Sequence, residues 1–103
     1  MKITIDTKQM PTALLKELAK VTNNKVLLSE FSKDENLEVR RAVADNANTP
    51  TEILSELAKD EAWYVRRAVA ENANTSAETL SELAKDEDDD VREAARENPN
   101  FKK

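Results

Sequence analysis

The stretch Val39–Tyr64, VRRAVADNANTPTEILSELAKDEAWY, decides the fold, because the chain repeats it at once. Residues Val65–Asp90 read VRRAVAENANTSAETLSELAKDEDDD, and 19 of the 26 positions are identical. Self-similarity at a fixed period is typical of repeat architectures, in which a unit can bury its apolar face only against its neighbours. The sequence therefore predicts an array of stacked units.

Each copy contains two segments whose apolar residues recur with helical spacing. One type of segment is represented by Pro50–Lys59, which reads PTEILSELAK. The other is represented by Val65–Glu71, which reads VRRAVAE and has apolar residues at i, i+3 and i+4. The strand pattern of a strand-containing leucine-rich repeat is absent. We therefore predict an all-α fold of short helical hairpins, a first and a second helix in each unit, stacked with a period of 26 residues.

The residues that flank the first helices predict how these helices begin. Thr49 is followed three residues later by Glu52, and Thr75 is followed by Glu78 at the same spacing. This is the spacing of a capping box, in which the threonine hydroxyl accepts a hydrogen bond from the first turn of the helix. We therefore expect both threonines to cap first helices.

An asparagine follows each second helix, at Asn46, Asn72 and Asn98. The chain has no glycine, and asparagine is then the residue best able to adopt the left-handed conformation that ends a helix. We expect these asparagines to line up on successive loops, with their amides bonded to neighbouring backbone groups.

The 103 residues are expected to form a single domain. Pro11–Lys20 matches Pro50–Lys59 in register and so predicts a copy of the first helix, followed directly by a second such helix over Lys25–Lys33. Ile3 and Ile5 alternate with polar residues and indicate an extended arm. The predicted organisation is a lead-in arm (1–9), an irregular N-terminal unit (10–33), regular repeats (34–90) and a truncated C-terminal cap (91–103).

The repeated motif, VRRAVAxNxNTPxEILxxLAKD, resembles the leucine-rich repeat variant family, a helical relative of HEAT-like repeats. The resemblance covers roughly residues 10–100 and implies paired helices in a right-handed solenoid, and it leaves open whether the second helix is α-helical or partly 3₁₀. Two copies depart from the family by having Asn-Ala where Asn-Pro is usual. The residues that carry the resemblance are Val39–Ala44, Asn46, Asn48–Pro50, Leu54, Leu57–Ala58 and Asp60, with their copies 26 residues on.

HEAT-like repeats also place an aspartate six residues before an arginine, and the resemblance implies that the two bond within and between repeats. A carboxylate in the turn can accept hydrogen bonds from a planar guanidinium and from backbone N–H groups. We therefore predict a ladder of such pairs along the array. The pairs with this spacing are Asp34 with Arg40, Asp60 with Arg66, and Asp86 with Arg92.

The composition excludes several classes of site. The chain has no cysteine, histidine or glycine, so it can form no disulfide, no cysteine-ligated metal or iron–sulfur centre and no glycine-rich phosphate loop. Without histidine, no set of nucleophile, base and orienting residue can be assembled around its serines. We expect no cofactor, no metal and no enzymatic activity.

The net charge of −5 lies in the C-terminal half of the chain. Residues 1–51 contain eight Lys/Arg and seven Asp/Glu, whereas residues 52–103 contain eight and fourteen. Binding to a phosphate backbone needs a basic surface, so we do not expect nucleic acid as a partner. No apolar run has the length of a signal peptide or of a membrane span. We expect a soluble, cytoplasmic protein that is monomeric or associates weakly with itself.

The acidic run Asp86–Asp90 has two interpretations. It could be a calcium loop, but it lacks the spaced ligands and the turn glycine of an EF-hand. We favour a structural role, in which the carboxylates lie in the turn between helices and suit the positive end of the next helix dipole.

The positions that differ between the copies indicate a binding surface. They fall mostly in one predicted turn, and the variable triplets are Asn36-Leu37-Glu38, Ala62-Trp63-Tyr64 and Asp88-Asp89-Asp90. Aromatic residues and arginine are the usual anchors of interfaces, so the predicted partner-binding residues are Leu37, Arg41, Trp63, Tyr64 and Arg67. Tyr64 is expected to be exposed because its equivalents are charged, whereas Trp63 could be exposed or packed into the neighbouring repeat.

These features predict a protein-interaction module or scaffold without catalysis. One alternative is a small acidic inhibitor or nucleic-acid mimic, whose acidic C-terminal half would occupy a basic groove on its target. Another is an engineered repeat scaffold without a biological ligand, although the near-identity of the copies also fits a recent natural duplication.

Overall fold

The computed structural model of the chain describes residues 9–102, and these contain seven α-helices and no strand. The predicted all-α class is confirmed, and the predicted lead-in arm falls almost wholly on residues 1–8, outside the described part. Among the described helices none is long and apolar enough to cross a membrane. The helices are α1 (Thr12–Val21), α2 (Lys25–Phe31), α3 (Leu37–Asp45), α4 (Thr51–Leu57), α5 (Trp63–Glu71), α6 (Ala77–Leu83) and α7 (Asp89–Glu97).

The helices form two rows along an elongated molecule of 52 × 21 × 16 Å. In the odd-numbered row, α1, α3, α5 and α7 pack side by side in that order and make the most extensive helix–helix contacts. In the even-numbered row, α2, α4 and α6 each pack against the odd-numbered helices that precede and follow them. The predicted stack of helical hairpins is therefore confirmed, and its right-handed twist remains an implication of the family resemblance.

The core lies between the two rows and follows the sequence period. Burying one leucine or valine side chain contributes ~1.5–3 kcal/mol to stability, and in this core each such side chain is buried between neighbouring units. The residues that are 0% exposed at equivalent positions are Leu28, Leu54 and Leu80 in the even-numbered row and Val39, Val65 and Val91 in the odd-numbered row.

α1 occupies a place that the sequence did not predict. Pro11–Lys20 resembles the first helix of the repeat, yet α1 packs against α3 at the head of the odd-numbered row, where the second helices lie. The end of α1 accepts a hydrogen bond from Asn46, as the end of α3 does from Asn72. α2 takes the place of the first helix, since its Leu28 precedes the equivalent Leu54 by 26 residues. A stripe of leucine and alanine fits either row, so sequence similarity did not distinguish them.

The second helices are longer than predicted and are α-helical throughout. They begin at Leu37, Trp63 and Asp89, two residues before the valine that opened each predicted segment. The structure thus decides between the α-helical and 3₁₀ forms that the sequence left open. The variable triplets lie at the helix start and in its first turn, rather than in a turn between helices.

A buried asparagine at the end of α5 joins this helix to α3. The Asn72 side chain donates from Nδ2 to the carbonyl oxygens of Ala44 and Asn46 at 2.8 and 3.0 Å. Its Oδ1 accepts a hydrogen bond of 2.8 Å from the backbone N–H of Asn74. Asn46 and Asn98 make the same three bonds to their own neighbours. The predicted alignment of asparagines is confirmed, and it satisfies carbonyl groups that a helix end leaves unpaired.

The backbone of these asparagines differs from the prediction. Asn46, Asn72 and Asn98 have φ of −76°, −76° and −68° and ψ of 122°, 131° and 130°, which is extended backbone. No described residue has a positive φ. The left-handed prediction is therefore wrong, because the helix ends are satisfied by a side chain of the next repeat and need no local left-handed turn.

Thr49 and Thr75 do not cap the first helices. Both are buried, and their hydroxyls donate to the carbonyl oxygens of Val43 and Val69 at 2.7 and 2.6 Å. α4 has no side-chain cap, and Ser76 caps α6. The capping-box prediction is wrong because the buried hydroxyls pair with carbonyl groups at the end of the preceding helix, which would otherwise lack a partner.

Arginine–aspartate pairs form a ladder along the array. Arg40 bonds both carboxylate oxygens of Asp60 at 2.7 and 3.3 Å, and Arg66 bonds those of Asp86 at 2.8 and 3.1 Å. Each arginine also donates from Nη1 to the carbonyl oxygen six residues earlier, that of Asp34 or Asp60. The ladder is confirmed with a correction. The carboxylates of Asp60 and Asp86 precede α5 and α7 but pair with arginines of α3 and α5, so each side-chain pair links one odd-numbered helix to the start of the next. The contact between residues six positions apart is to backbone only.

The pair of Arg66 and Asp86 is largely buried, with side-chain exposures of 11% and 10%. Burial raises the pKa of Asp86, but hydrogen bonds from Arg66 and from the backbone N–H of Asp88 outweigh burial and bring the pKa below its usual value. A carboxyl group whose pKa is lowered by folding stabilises the fold above its ordinary pKa. That stabilisation is lost as the pH falls through the pKa of the folded state.

We expect Asn72→Ala to lower the free energy of unfolding by about 3 kcal/mol or more. The substitution leaves two carbonyl groups and one N–H without their partners, at ~1–3 kcal/mol for each buried group. Asn74→Ala is the matched control, since the Asn74 amide also bonds two carbonyl groups of the preceding repeat but belongs to an exposed residue. Urea unfolding measures both losses, and equal losses would contradict the buried asparagine ladder.

We expect Arg66→Ala to lower the melting temperature more than Arg67→Ala. Removing Arg66 leaves the buried Asp86 carboxylate unpaired, which costs ~3–5 kcal/mol in measured cases. The Arg67 side chain is 46% exposed and reaches Glu71 at 3.7 Å, a contact that contributes ~0–1 kcal/mol. Thermal unfolding at neutral pH compares the two, and similar melting temperatures would count against the ladder.

Candidate functional site

The candidate surface lies at the start of the odd-numbered helices. Leu37 on α3 and Trp63 on α5 occupy equivalent positions and are 36% and 40% exposed. On α7 the same position is held by Asp89. Trp63 thus faces solvent, which decides between the two environments that the sequence left open.

The Tyr64 ring connects Trp63 with Arg41 of the neighbouring helix. The ring centroids of Trp63 and Tyr64 are 5.6 Å apart and the ring planes are perpendicular. Cζ of Arg41 lies 5.9 Å from the centroid of the Tyr64 ring. Such ring pairs and cation–π contacts contribute ~0.5–1.5 and ~0.5–1 kcal/mol. We call these three residues the aromatic patch, and it spans α3 and α5.

Tyr64 is less exposed than the sequence predicted. It is partly buried and packs against the hydrophobic core, whereas its equivalent Glu38 has a side chain that is 56% exposed. The expectation of an exposed Tyr64 is wrong because an aromatic ring is large enough to cover the core from this position, while a carboxylate there stays in solvent. Tyr64 therefore fixes the patch to the fold.

Arg67 and Leu37 flank the aromatic patch without a ring contact among the described residues. Arg67 lies one turn after Trp63 and pairs along α5 with Glu71 at 3.7 Å. Leu37 lies on α3, at the position equivalent to Trp63. The structure thus brings three of the five predicted residues into contact and places the other two on the same helices.

A small charged groove between α1 and α3 adjoins the aromatic patch and was not predicted. Nζ of Lys16 bonds the Glu38 carboxylate at 2.8 Å, and this bond lowers the pKa of Glu38. Arg41 pairs with Asp45 at 3.6 Å; burial raises the pKa of Asp45, although Arg41 and Lys20 oppose the rise. The groove has a volume of about 180 Å³. The separation of 22 residues between Lys16 and Glu38 lies outside the repeat period, so the pattern carried no signal for it.

The acidic run Asp86–Asp90 forms the start of α7. Oδ1 of Asp88 accepts hydrogen bonds from the backbone N–H groups of Asp90 and Val91 and so caps the helix. Asp89 and Asp90 lie in its first turn, where negative charge suits the helix dipole. Within residues 9–102 no group of three or more Asp, Glu, His or Cys is placed to hold a metal ion.

Comparison with known proteins identifies the repeat. The model of the leucine rich repeat variant family matches residues 37–62 and 63–88, which are two adjacent units of equal length. No curated protein and no solved structure matches the chain significantly. The matched units begin at Leu37 and Trp63, where α3 and α5 begin, so the period of the family model and that of the structure agree.

We expect Ala62→Asn to raise the free energy of unfolding by about 1 kcal/mol. Asn36 and Asp88 cap α3 and α7, whereas α5 begins after Ala62 without a side-chain cap, although its backbone has a similar conformation. A side-chain cap contributes ~0.5–2 kcal/mol. The reciprocal variant Asn36→Ala should lose a similar amount, and urea unfolding measures both. A destabilised Ala62→Asn protein would contradict this account of the start of α5.

Proposed function

The chain belongs to the leucine rich repeat variant family, and we propose that it is a protein-interaction module without catalytic activity. Members of this family commonly have a helical-repeat fold used in protein interaction and are typically non-catalytic. Stacked repeats present an extended surface to their partners. The proposed binding surface is the exposed face of α3 and α5, with Leu37, Arg41, Trp63, Tyr64 and Arg67.

The observation that carries this proposal is the exposure of Trp63 at a position where the fold requires no aromatic residue. The equivalent positions hold Leu37 and Asp89, so the repeat accepts very different side chains there. Trp63 is 40% exposed and is not one of the core residues. Tryptophan, tyrosine and arginine are the residues most often found to dominate the energy of protein interfaces.

The aromatic patch is also held in place before any partner binds. Tyr64 packs against the core, and Trp63 meets its ring edge to face. Arg41 covers the Tyr64 ring from the neighbouring helix. A surface that is ordered in advance loses less conformational freedom on binding, which favours affinity.

We expect immobilised wild-type protein to retain specific partners from a lysate of the source cells. The Trp63→Ala protein should retain at least about tenfold less of them, because truncating a central aromatic residue removes ~2 kcal/mol or more of binding free energy. Quantitative mass spectrometry of the eluates measures the difference. The matched control is Val26→Ala, which truncates a side chain that is 74% exposed on α2. This control should retain the partners as well as the wild type does.

Two results would oppose the proposal. Equal retention by wild type and Trp63→Ala would remove the aromatic patch from the interface. If that binding were then lost in high salt, or on replacing Asp88, Asp89 and Asp90 with asparagine, the acidic C-terminal half would be the binding element. The acidic inhibitor would then be the better description.

A further inference from the structure

The exposed face of the odd-numbered row changes charge along its length. α1 contributes Lys16 and Lys20 to the groove beside α3. α3 and α5 each present an arginine paired with an acidic residue four positions on. α7 presents only acidic residues at the equivalent positions, and we call these the acidic face: Asp89, Asp90, Glu93 and Glu97. The aromatic patch therefore lies between a basic end and an acidic end.

The acidic face is not required by the fold. Glu93 stands where Arg41 and Arg67 stand in the other repeats, and it places a like charge one turn from Glu97. Like charges at this spacing destabilise a helix, whereas the arginine of the other copies forms an ion pair there. An arginine would keep the helix equally polar. The pair of Glu93 and Glu97 is thus less favourable than the ion pair that the other repeats form at these positions.

The arginines of α7 leave most of this charge uncompensated. Arg92 donates to the carbonyl oxygen of Asp86 and pairs with Asp89. Arg96 donates to the carbonyl oxygen of Ala84, at the end of α6, at 3.2 Å. Within residues 9–102 the other three carboxylates of the acidic face form no ion pair. They remain available to cations of a partner.

The distance between neighbouring helices sets the distance between the two groups of a ligand that would contact Trp63 and the acidic face. Neighbouring packed helices lie ~8–10 Å apart, and an extended chain advances about 3.3 Å per residue. A chain that crosses from Trp63 on α5 to the acidic face on α7 therefore spans about three residues. The groove at the other end contains three cations and two carboxylates, so its net charge is positive and disfavours cations. The charges therefore also set which way the ligand lies.

We propose that this surface binds an extended segment of a partner protein with a large apolar side chain and, about three residues away, a cluster of lysine or arginine. The apolar side chain contacts Trp63 and Tyr64, and the cationic cluster lies over the acidic face. The inference rests on the proposed function and adds the chemistry of the partner and its orientation across the helices.

The test uses short fluorescent Gly/Ser peptides with one leucine and three consecutive lysines, made in both chain directions. Fluorescence anisotropy measures their binding to the full chain. The matched peptides carry glutamate in place of lysine and should bind at least about tenfold more weakly than the better lysine peptide. Trp63→Ala should weaken the binding of the lysine peptide by a similar factor.

Glu93→Arg separates binding from stability. It restores the residue of the other repeats and allows an ion pair with Glu97, so the melting temperature should not fall. Binding of the lysine peptide should nevertheless weaken at least about tenfold. Glu17→Arg on α1 is the matched control, because it changes the net charge equally at the other end of the array, and it should change binding by less than about twofold.

Three results would overturn the inference. The first is that neither lysine peptide binds at about 1 mM, a concentration that corresponds to only about 4 kcal/mol of binding free energy. The second is that the glutamate peptides bind as well as the lysine peptides. The third is that Glu17→Arg and Glu93→Arg weaken binding equally. The last would mean a general attraction of cations to an acidic protein. None of these results bears on whether partners captured from the lysate depend on Trp63, so the proposed function stands or fails separately.

Discussion

The buried asparagine amide is the contact on which the stacking of this protein depends. At the end of α5, Asn72 closes its own loop through Oδ1 and joins the end of α3 through Nδ2. Unpaired, each of these polar groups would cost ~1–3 kcal/mol inside the interface between units. Because they are paired, the valines and leucines of adjacent units can meet without water between them. Thr75 and Arg66 serve the same end, by bonding helix-end and loop carbonyl groups that the core would otherwise leave without partners.

Because buried polar contacts hold the stack together, the exposed positions can vary. The buried polar contacts recur from unit to unit, so the outward side chains of α3, α5 and α7 can differ without changing the stack. Leu37, Trp63 and Asp89 occupy one such position, and Arg41, Arg67 and Glu93 another. The surface thus passes from a basic end at α1, through the aromatic patch, to an acidic end at α7, although α3, α5 and α7 are otherwise close copies. A binding specificity can be encoded there at little cost to folding.

Much of this fold could be predicted because its determinants recur every 26 residues. The helical class, the asparagine alignment and the existence of an Asp–Arg ladder follow from that period and from residue chemistry. Local rules failed where a neighbouring repeat competes with them. Thr75 bonds the preceding helix rather than capping the next, and Asn72 needs no left-handed backbone. Arg40 finds its carboxylate twenty residues on, at Asp60, a pairing that only the packing of units reveals.

The residues of the candidate surface could be predicted from the sequence, but their arrangement and burial could not. The sequence indicated Trp63 and Tyr64 because they differ from the repeated pattern, and Arg41 because arginine is a usual interface anchor, but the burial of Tyr64 depends on the core beneath it. Native-state hydrogen exchange of the wild type and Asn72→Ala tests whether buried asparagines couple adjacent units. In the wild type the core amides of α3 and α5 should share one free energy of opening. In the variant, α1–α3 and α5–α7 should open separately with different free energies. A variant that keeps a single common free energy of opening would show that the asparagines do not couple the units.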